Sequence, residues 1–510
     1  MKLALAQINP TVGDLDGNVK RCLSAIQSAR TSDPDLIILP ELAIPGCPPH
    51  DILFDTSFTQ AVLDATQDLA QRASPGPPIL VGTLSKAENQ LPNHPGLLNA
   101  AVLLKDGKVH LAAGKRLLPT YDVFYESRWF LPGPNLPPLD IVGKRVGVLI
   151  GQDLFDEGYP IHPPRDLIDA GADLLVCLAA SPYSHEIMSR RLHHGRRAGC
   201  ALAYVNLCGA NDELIFDGHS YALDSQGQVI TQLAGFEEQV LIADLERDRP
   251  VHFVPGIKEE ETYKALVLGI YDFMHKNGLK RAFLGLSGGV DSAVVAVLAA
   301  DAIGPERVTA VTIPSRYTDP RSTSSARGLA TTLGINLEVM ELETLHEAAE
   351  KTLGDMLKRG TTGENVQPRL RTMILMSYVN RYGGLLLNTS NKTELSLGYS
   401  TMYGDTAGTL CPIADLTKPE VYNLAHWIQN KHGVIPSFTL ERLPTAELKP
   451  DQVDPFDYPV VAPEMEHIIQ ENRSNPALRN SEHKRWQMGV VLKVSPKAFG
   501  IGRMIPITRR

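Results

Sequence analysis

Short apolar runs, each stopped by glycine, proline or a charged residue, recur along the chain and alternate with stretches whose apolar positions return at helical spacing. Lys2 to Ile8 predicts a first strand, and Asn18 to Arg30 an amphipathic helix. Leu36 to Leu42 (LIILPEL) predicts a buried strand carrying Glu41 at its end, before the punctuation of Pro45, Gly46, Pro48 and Pro49. A helix follows from Thr56 to Ala73, then strands at Ile79 and at Ala100, the second with an Asp106-Gly107 hairpin signal. Val146 to Phe155 and Leu174 to Tyr183 read as buried strands running into turns, Arg190 to Ala201 as a helix, and YALDSQGQVI as a hairpin. Strand ends that turn polar are where α/β enzymes keep their sites, and here they carry Glu41, Lys115, Gly151-Gln152-Asp153 and Ser181.

Leu245 to Gly256 is charged and proline-containing and reads as a linker. Glu259-Glu260-Glu261 then opens a helix to about Lys276, acidic at its N-terminus as the helix dipole prefers. Ala282 to Val297 (AFLGLSGGVDSAVVAV) predicts strand, glycine turn and helix N-terminus, an arrangement that aims backbone N–H groups at one spot and suits a phosphate. Asp291 in that turn suits a magnesium ion bridging to phosphate. Arg307 to Ser315, Ser322 to Leu333 and Ile335 to Leu342 continue as strand, helix, strand, the succession of a doubly wound sheet.

Composition narrows the classes. With 510 residues, 43% of them hydrophobic, the chain has the bulk of two domains; the expected division is 1–245, a linker at 246–262, and 263–510. A net charge of −9 argues against nucleic acid or a membrane surface as partner. Cys22, Cys47, Cys177, Cys200, Cys208 and Cys411 form no CxxC pair, so neither zinc nor a disulfide framework is implied, and the expected compartment is the cytoplasm. The N-terminal run, cut by Asn9-Pro10, reads as a strand and not a signal peptide.

The loop Ser287-Gly288-Gly289-Val290-Asp291-Ser292 lacks the Gly-Lys-Ser/Thr ending of a Walker A motif. It resembles the pyrophosphate loop of the ATP pyrophosphatase superfamily, which splits ATP between the α- and β-phosphates and uses AMP to activate a carboxylate or carbonyl. The first half, with Glu41 in LPEL and Lys115 in GKRLLPTY, resembles the nitrilase (carbon–nitrogen hydrolase) α-β-β-α sandwich, whose Glu, Lys and Cys serve as base, oxyanion stabiliser and nucleophile. The family's Cys-Glu-Asp is Gly151-Gln152-Asp153 here, and its glutamine-binding Gly-Lys is Glu186-Ile187, whereas Tyr121 and Ser181, also linked to glutamine, are kept. The resemblance therefore implies a degenerate glutaminase, with Glu41 and Lys115 persisting as a buried ion pair. Cys177 and Cys47 are the alternative nucleophiles to weigh.

In the second half, Glu364 to Arg371 (ENVQPRLR), LLLNTSNKTELSLGY, MYGD, PIADLTK, PTAELKPDQVD, His483-Lys484-Arg485 and KAFGIGRMIPI resemble motifs of the NAD synthetases, so the whole chain is similar to the two-domain, glutamine-dependent members of that family. The fold implied is a nitrilase-like sandwich followed by a doubly wound, adenine nucleotide α-hydrolase-like synthetase domain. The activity implied is ATP- and Mg2+-dependent amidation of deamido-NAD through an acyl-adenylate. By resemblance, Gly285, Leu286, Ser287, Gly288, Gly289, Val290, Asp291, Ser292, Thr389, Lys418 and Thr445 would meet ATP. Asn365, Arg369, Glu394, His483 and Lys484 would meet deamido-NAD, and Asp291 and Glu394 would hold the metal. One stretch departs from the family: Pro455-Phe456-Asp457-Tyr458-Pro459 replaces Ser-Leu-Pro-Pro-Tyr. His193-His194 belong to no motif and are expected at the surface. The expected nitrogen donor is free ammonia, with glutamine through a rearranged pocket or a separate glutaminase as the alternative, a silent nucleotide-binding scaffold as the third reading, and a homo-oligomer as the expected assembly.

Overall fold

The computed structural model describes all residues except Gln90, 252–255, Arg359, Ser474, Pro476, Ala477, Arg479, Asn480, Ile501, Met504 and 506–510. Part of the expected linker, 252–255, and several positions of the closing KAFGIGRMIPI motif thus lie outside the described residues. The chain divides into two compact units, Met1–Pro255 and Gly256–Arg510.

The first unit begins with β1 (Lys2–Gln7), α1 (Leu15–Arg30), β2 (Leu36–Ile38), α2 (Thr56–Arg72), β3 (Ile79–Lys86), β4 (Leu97–Lys105) and β5 (Lys108–Gly114). It continues through β6 (Leu139–Ile141), β7 (Lys144–Ile150), α3 (Pro163–Asp169), β8 (Leu174–Ala179), α4 (Ile187–Arg197), β9 (Ala201–Asn206), β10 (Cys208–Asn211) and β11 (Leu214–Asp217), and closes with β12 (Tyr221–Leu223), β13 (Val229–Gln232) and β14 (Gln239–Asp244). Two six-stranded sheets form, ordered β14-β1-β2-β3-β4-β5 and β13-β12-β9-β8-β7-β6. Period-two alternation along buried strands explains the layering. Leu3, Leu5, Val146, Val148 and Val176 meet in one core between the sheets, while Ala4, Ala6 and Ile37 share another with Val19 and Ile26 of α1. Leu149, Leu175 and Cys177 share a third core with Leu167 of α3 and Leu192 of α4. Helices thus cover both outer faces, giving four layers, α-β-β-α.

Two elements differ from the sequence reading. Regular pairing of β2 ends at Ile38; the Leu39 N–H and the Pro40 carbonyl each make one further bond to β3, at 2.8 and 3.1 Å, and the chain turns away by Leu42, at φ 48°. The expected helix from Arg190 to Ala201 lies instead at Ile187–Arg197, and Ala201 begins β9, a strand buried against β8 and β12.

The second unit contains α5 (Lys258–Lys276), β15 (Ala282–Gly285), α6 (Val290–Ile303), β16 (Val308–Thr312), α7 (Pro320–Leu333), β17 (Asn336–Val339), α8 (Glu343–Leu353), α9 (Thr362–Tyr382) and β18 (Leu385–Leu386). It ends with α10 (Lys392–Leu397), β19 (Leu410–Cys411), α11 (Lys418–His432), α12 (Ser437–Glu441), α13 (Tyr458–Gln470) and β20 (Val490–Val491). Its main sheet, β17-β16-β15-β18, is parallel throughout, so every connection is a crossover. Helix α6 is apolar nearly all round and buried, as a helix between other layers must be. No helix of the described residues is long and apolar enough to cross a membrane.

Candidate functional sites

In the first unit the ends of β2, β5, β7 and β8 converge. Glu41 Oε1 accepts from Lys115 Nζ at 2.8 Å and from Asn99 Nδ2 at 2.7 Å, and Glu41 Oε2 accepts from the Ala180 N–H at 2.8 Å. Lys115 Nζ also donates to Glu126 Oε1 at 2.6 Å, so the pair is a triad, and Glu126 is a member that no sequence motif flagged. Burial would lower the pKa of Lys115, but Glu126 and Glu41 outweigh it and hold the ammonium above its ordinary value. Burial pushes Glu126 up to about 7 against the pull of Lys115.

Gly151 sits at φ +45°, immediately after β7; a Cβ there would stand 2.6 Å from Glu41 Oε2 and 3.2 Å from Lys115 Nζ. The other thiols are poorly prepared to replace a nucleophile. Cys177 faces Leu149 across the β7–β8 ladder, with Sγ 4.0 Å from the Gly151 carbonyl oxygen. Burial, then the charge of Glu41, pushes the thiols of both Cys177 and Cys47 well above their ordinary pKa, which keeps them protonated.

The neighbouring polar residues are internally satisfied. Tyr121 donates to Gln152 Oε1 at 2.7 Å, and Gln152 Nε2 donates to the Phe155 carbonyl at 2.8 Å. Ser181 Oγ accepts from Arg191, a wholly buried residue absent from the sequence expectations, whose guanidinium makes two 2.8 Å bonds to Asp217. Glu186, at the expected Gly-Lys position, caps α4 with φ 68° and projects outward. The expectation for His193-His194 holds for one residue only. His193 is exposed, but His194 is buried with its ring 4.9 Å from that of Phe155, because successive residues of a helix point about 100° apart and the face of α4 that carries Leu192 and Gly195 also turns His194 inward.

In the second unit β15 runs into the glycine turn and α6, and Gly289 caps the helix. Gly288 is at φ +82°, and a Cβ on it would stand 2.3 Å from the backbone oxygen of Ser322. Ser292 Oγ folds back to accept from the Ser287 N–H at 3.2 Å and donate to the Gly289 carbonyl at 3.1 Å, tying the loop into one shape. The loop borders a cavity of about 480 Å³ lined also by Asn365, Thr389, Glu394, Lys418, Thr445 and Lys484. Gly285 and Leu286 lead into it, whereas Gly288, Arg369 and His483 do not line it. Arg369 donates to the Met402 carbonyl at 3.1 Å, and His483 precedes the short turn Lys484–Gln487.

The charged centre of this cavity is built from three distant segments. Lys418 Nζ lies 2.6 Å from Asp291 Oδ2 and 3.0 Å from Glu394 Oε1. Asn391, missed in sequence, donates from Nδ2 to Asp291 Oδ1 at 2.9 Å and accepts from the Glu394 N–H at 3.0 Å. The Asn-x-x-Glu spacing of a capping box was the signal that could have exposed it. Burial pushes Glu394 up to about 7, opposed by Lys418. Lys484 donates to the Gly398 carbonyl at 2.7 Å and to that of Ser400, and burial lowers its pKa. The departing stretch still furnishes an aromatic: the Tyr458 ring lies 5.5 Å from Lys418 Nζ, and its hydroxyl donates to Asp454 at 2.8 Å. Two carboxylates converging on one cation position fit a magnesium ion that takes its other oxygens from phosphate and water. No cluster of three or more metal-binding side chains occurs among the described residues, so the protein alone offers no closed cage.

An amide-hydrolase sandwich and a nucleotide-type parallel sheet in one chain define a two-unit α/β enzyme. The carbon-nitrogen hydrolase family pattern is matched over residues 2–250, and the NAD synthase pattern over 262–495. The chain is 36% identical to a glutamine-dependent NAD(+) synthetase of a Synechocystis species, over 99% of this chain and 98% of that one. It is 34% identical to the enzyme of that name from Thermotoga maritima, over 100% and 99%. Among solved structures, the glutamine-dependent NAD+ synthetase of Acinetobacter baumannii in complex with adenosine diphosphate superimposes with a TM-score of 0.81 at 30% identity, covering 99% of this chain and 98% of that chain. The chain belongs to the two-domain NAD synthetase family and is an NAD(+) synthetase.

Proposed function

We propose that this synthetase amidates deamido-NAD with free ammonia, the N-terminal unit having lost its glutaminase chemistry. The carboxylate oxygen attacks the α-phosphorus of ATP, the bond to pyrophosphate breaks, and an acyl-adenylate forms. Ammonia then attacks the carbonyl carbon, loses a proton, and AMP departs. A carboxylate is a poor electrophile, so the adenylate supplies the leaving group, and the protein's part is positioning and charge neutralisation. The 287–292 loop, Gly288 apart, and the N-terminus of α6 border the cavity where the phosphates would lie. Thr389 and Thr445 border the same cavity, as does Asn365, whose Oδ1 accepts from Thr401 at 2.9 Å. Asp291 and Glu394 would hold magnesium, which when bound neutralises the departing pyrophosphate. A cytoplasmic homo-oligomer completes the proposal.

The observation that carries the ammonia reading is Gly151: the residue after β7 has no side chain, and Glu41 Oε2 stands 2.6 Å from where its Cβ would be. That the relatives are glutamine-dependent favours the second reading, in which glutamine is the donor; here it would need a rearranged pocket or a separate glutaminase. The test is NAD formation by the purified protein from deamido-NAD, ATP and magnesium, with ammonium chloride set against ammonia-free glutamine. Ammonium alone should support the reaction. Comparable rates with glutamine would refute the ammonia reading, and no product with either would favour a silent scaffold.

A further inference from the structure

Lys418 stands where a cation is wanted. Its ammonium lies between Asp291 and Glu394 at 2.6 and 3.0 Å, on a side chain only 5% exposed, and these are the two carboxylates proposed above as metal ligands. A divalent ion on the same oxygens would sit a few ångströms from that ammonium in a poorly solvated pocket, where the two like charges repel strongly. The carboxylates do not need Lys418 to stay in place. Asn391 holds Asp291 by its other oxygen at 2.9 Å, and the Asn391 N–H points to Glu394 Oε2 at 3.5 Å. The lysine stem is the flexible partner, and the cavity that it lines also contains the Ser287–Ser292 loop, where phosphate would supply a new counter-charge.

We infer that Lys418 is an internal counter-ion that occupies the metal position until nucleotide arrives. Metal and nucleotide then enter as one event, the metal taking Asp291 and Glu394 while the ammonium moves to phosphate. The inference rests on the metal reading given above and adds a consequence to it: each ligand binds weakly without the other.

Calorimetric titration tests this, with Mn2+ as the metal and α,β-methylene-ATP as a nucleotide that cannot be cleaved. Without nucleotide, Lys418→Met should bind Mn2+ about tenfold more tightly than the wild type, because its carboxylates have lost their competitor. In EDTA the nucleotide should bind both proteins within about threefold, while Mn2+ should improve its binding to the wild type by about tenfold more than to the variant. Equal Mn2+ affinities without nucleotide would overturn the inference, as would a variant weakened equally with and without metal. Crystals of the wild type give a measurement that needs no variant: Nζ should leave the carboxylates in the ternary complex with Mn2+ and α,β-methylene-ATP, and finding it still between them would overturn the exchange. Glu394→Gln separates the two readings. If it retains the full metal-dependent gain, the ligand assignment itself fails, and the exchange with it.

Discussion

At residue 151 the chain places a glycine in the left-handed region, with Glu41 standing against its side-chain position. Glu41 is held by Ala180, Asn99 and Lys115, with one oxygen close to the vacant side-chain position. Gly151→Ala should therefore destabilise the protein by about 2–3 kcal/mol, from the left-handed backbone and from displacing Glu41 off the Ala180 N–H. A calorimetric midpoint lowered by several degrees checks it; an unchanged midpoint would show that Glu41 moves freely. Asp153 gives a pH signature. It accepts from the backbone N–H groups of Arg116, Leu117 and Ile150, yet burial outweighs them and pushes its carboxyl up to about 6. A raised folded-state pKa means that its stabilising contribution is complete below the ordinary value of 3.8 and is lost as pH rises through about 6. The loss should approach roughly 3 kcal/mol, seen as wild-type stability falling relative to Asp153→Asn over that interval. A difference independent of pH would refute it. Residue identities exposed Glu41, Lys115 and Gly151, but not Glu126 or Arg191, because a partner fixed by the turn of a distant loop leaves no local spacing to read. His194 was misplaced because the pair was read together, whereas successive helical residues point about 100° apart and only one of the two faces solvent.

At the scale of elements, the strand–turn–helix of 282–303 was legible because its apolar run, glycines and alanine-rich helix all speak locally. The turn's shape is nonetheless set by a remote segment, since Ser322 of α7 lies against Gly288. Gly288→Ala pits a Cβ against backbone, which cannot rotate away as a side chain would, at a φ that alanine resists. Binding of α,β-methylene-ATP should weaken about a hundredfold, and wild-type affinity in a titration would show that the loop has slack. The Asp291–Lys418–Glu394 centre was legible only as separate motifs. Asp291 and Lys418 are 127 positions apart, and nothing in either motif states that one neutralises the other. LIILPEL shows a smaller failure: its continuous apolar run suggested a strand to Leu42, yet within it bonding to β3 ends at Pro40 and the chain then turns Glu41 into the site.

At the scale of the molecule, each unit has its own apolar cores, those of the first built from its two main sheets and the helices α1 to α4, those of the second from elements after Lys258. Two unfolding transitions are expected in scanning calorimetry. Gly151→Ala should lower one of them, and α,β-methylene-ATP with Mn2+ should raise the other. A single transition that both perturbations move together would mean that the units unfold as one. The two-unit architecture was readable because motifs occur along nearly the whole length. The helix that opens the second unit was readable too: it was expected from Glu259 to about Lys276 on its acidic first turn and runs Lys258–Lys276, overlapping the end of the 246–262 stretch given to the linker.

The guanidinium of Arg503 is fully buried against Glu482, which also binds Arg485, and Glu482 immediately precedes His483 and Lys484. A proteolytic cut before Arg503 would remove one of the two guanidinium groups that neutralise a buried carboxylate beside the candidate dinucleotide site. Loss of activity is the expected outcome of such a cut. Intact-mass measurement of the C-terminus therefore belongs before any assay from which inactivity is to be concluded.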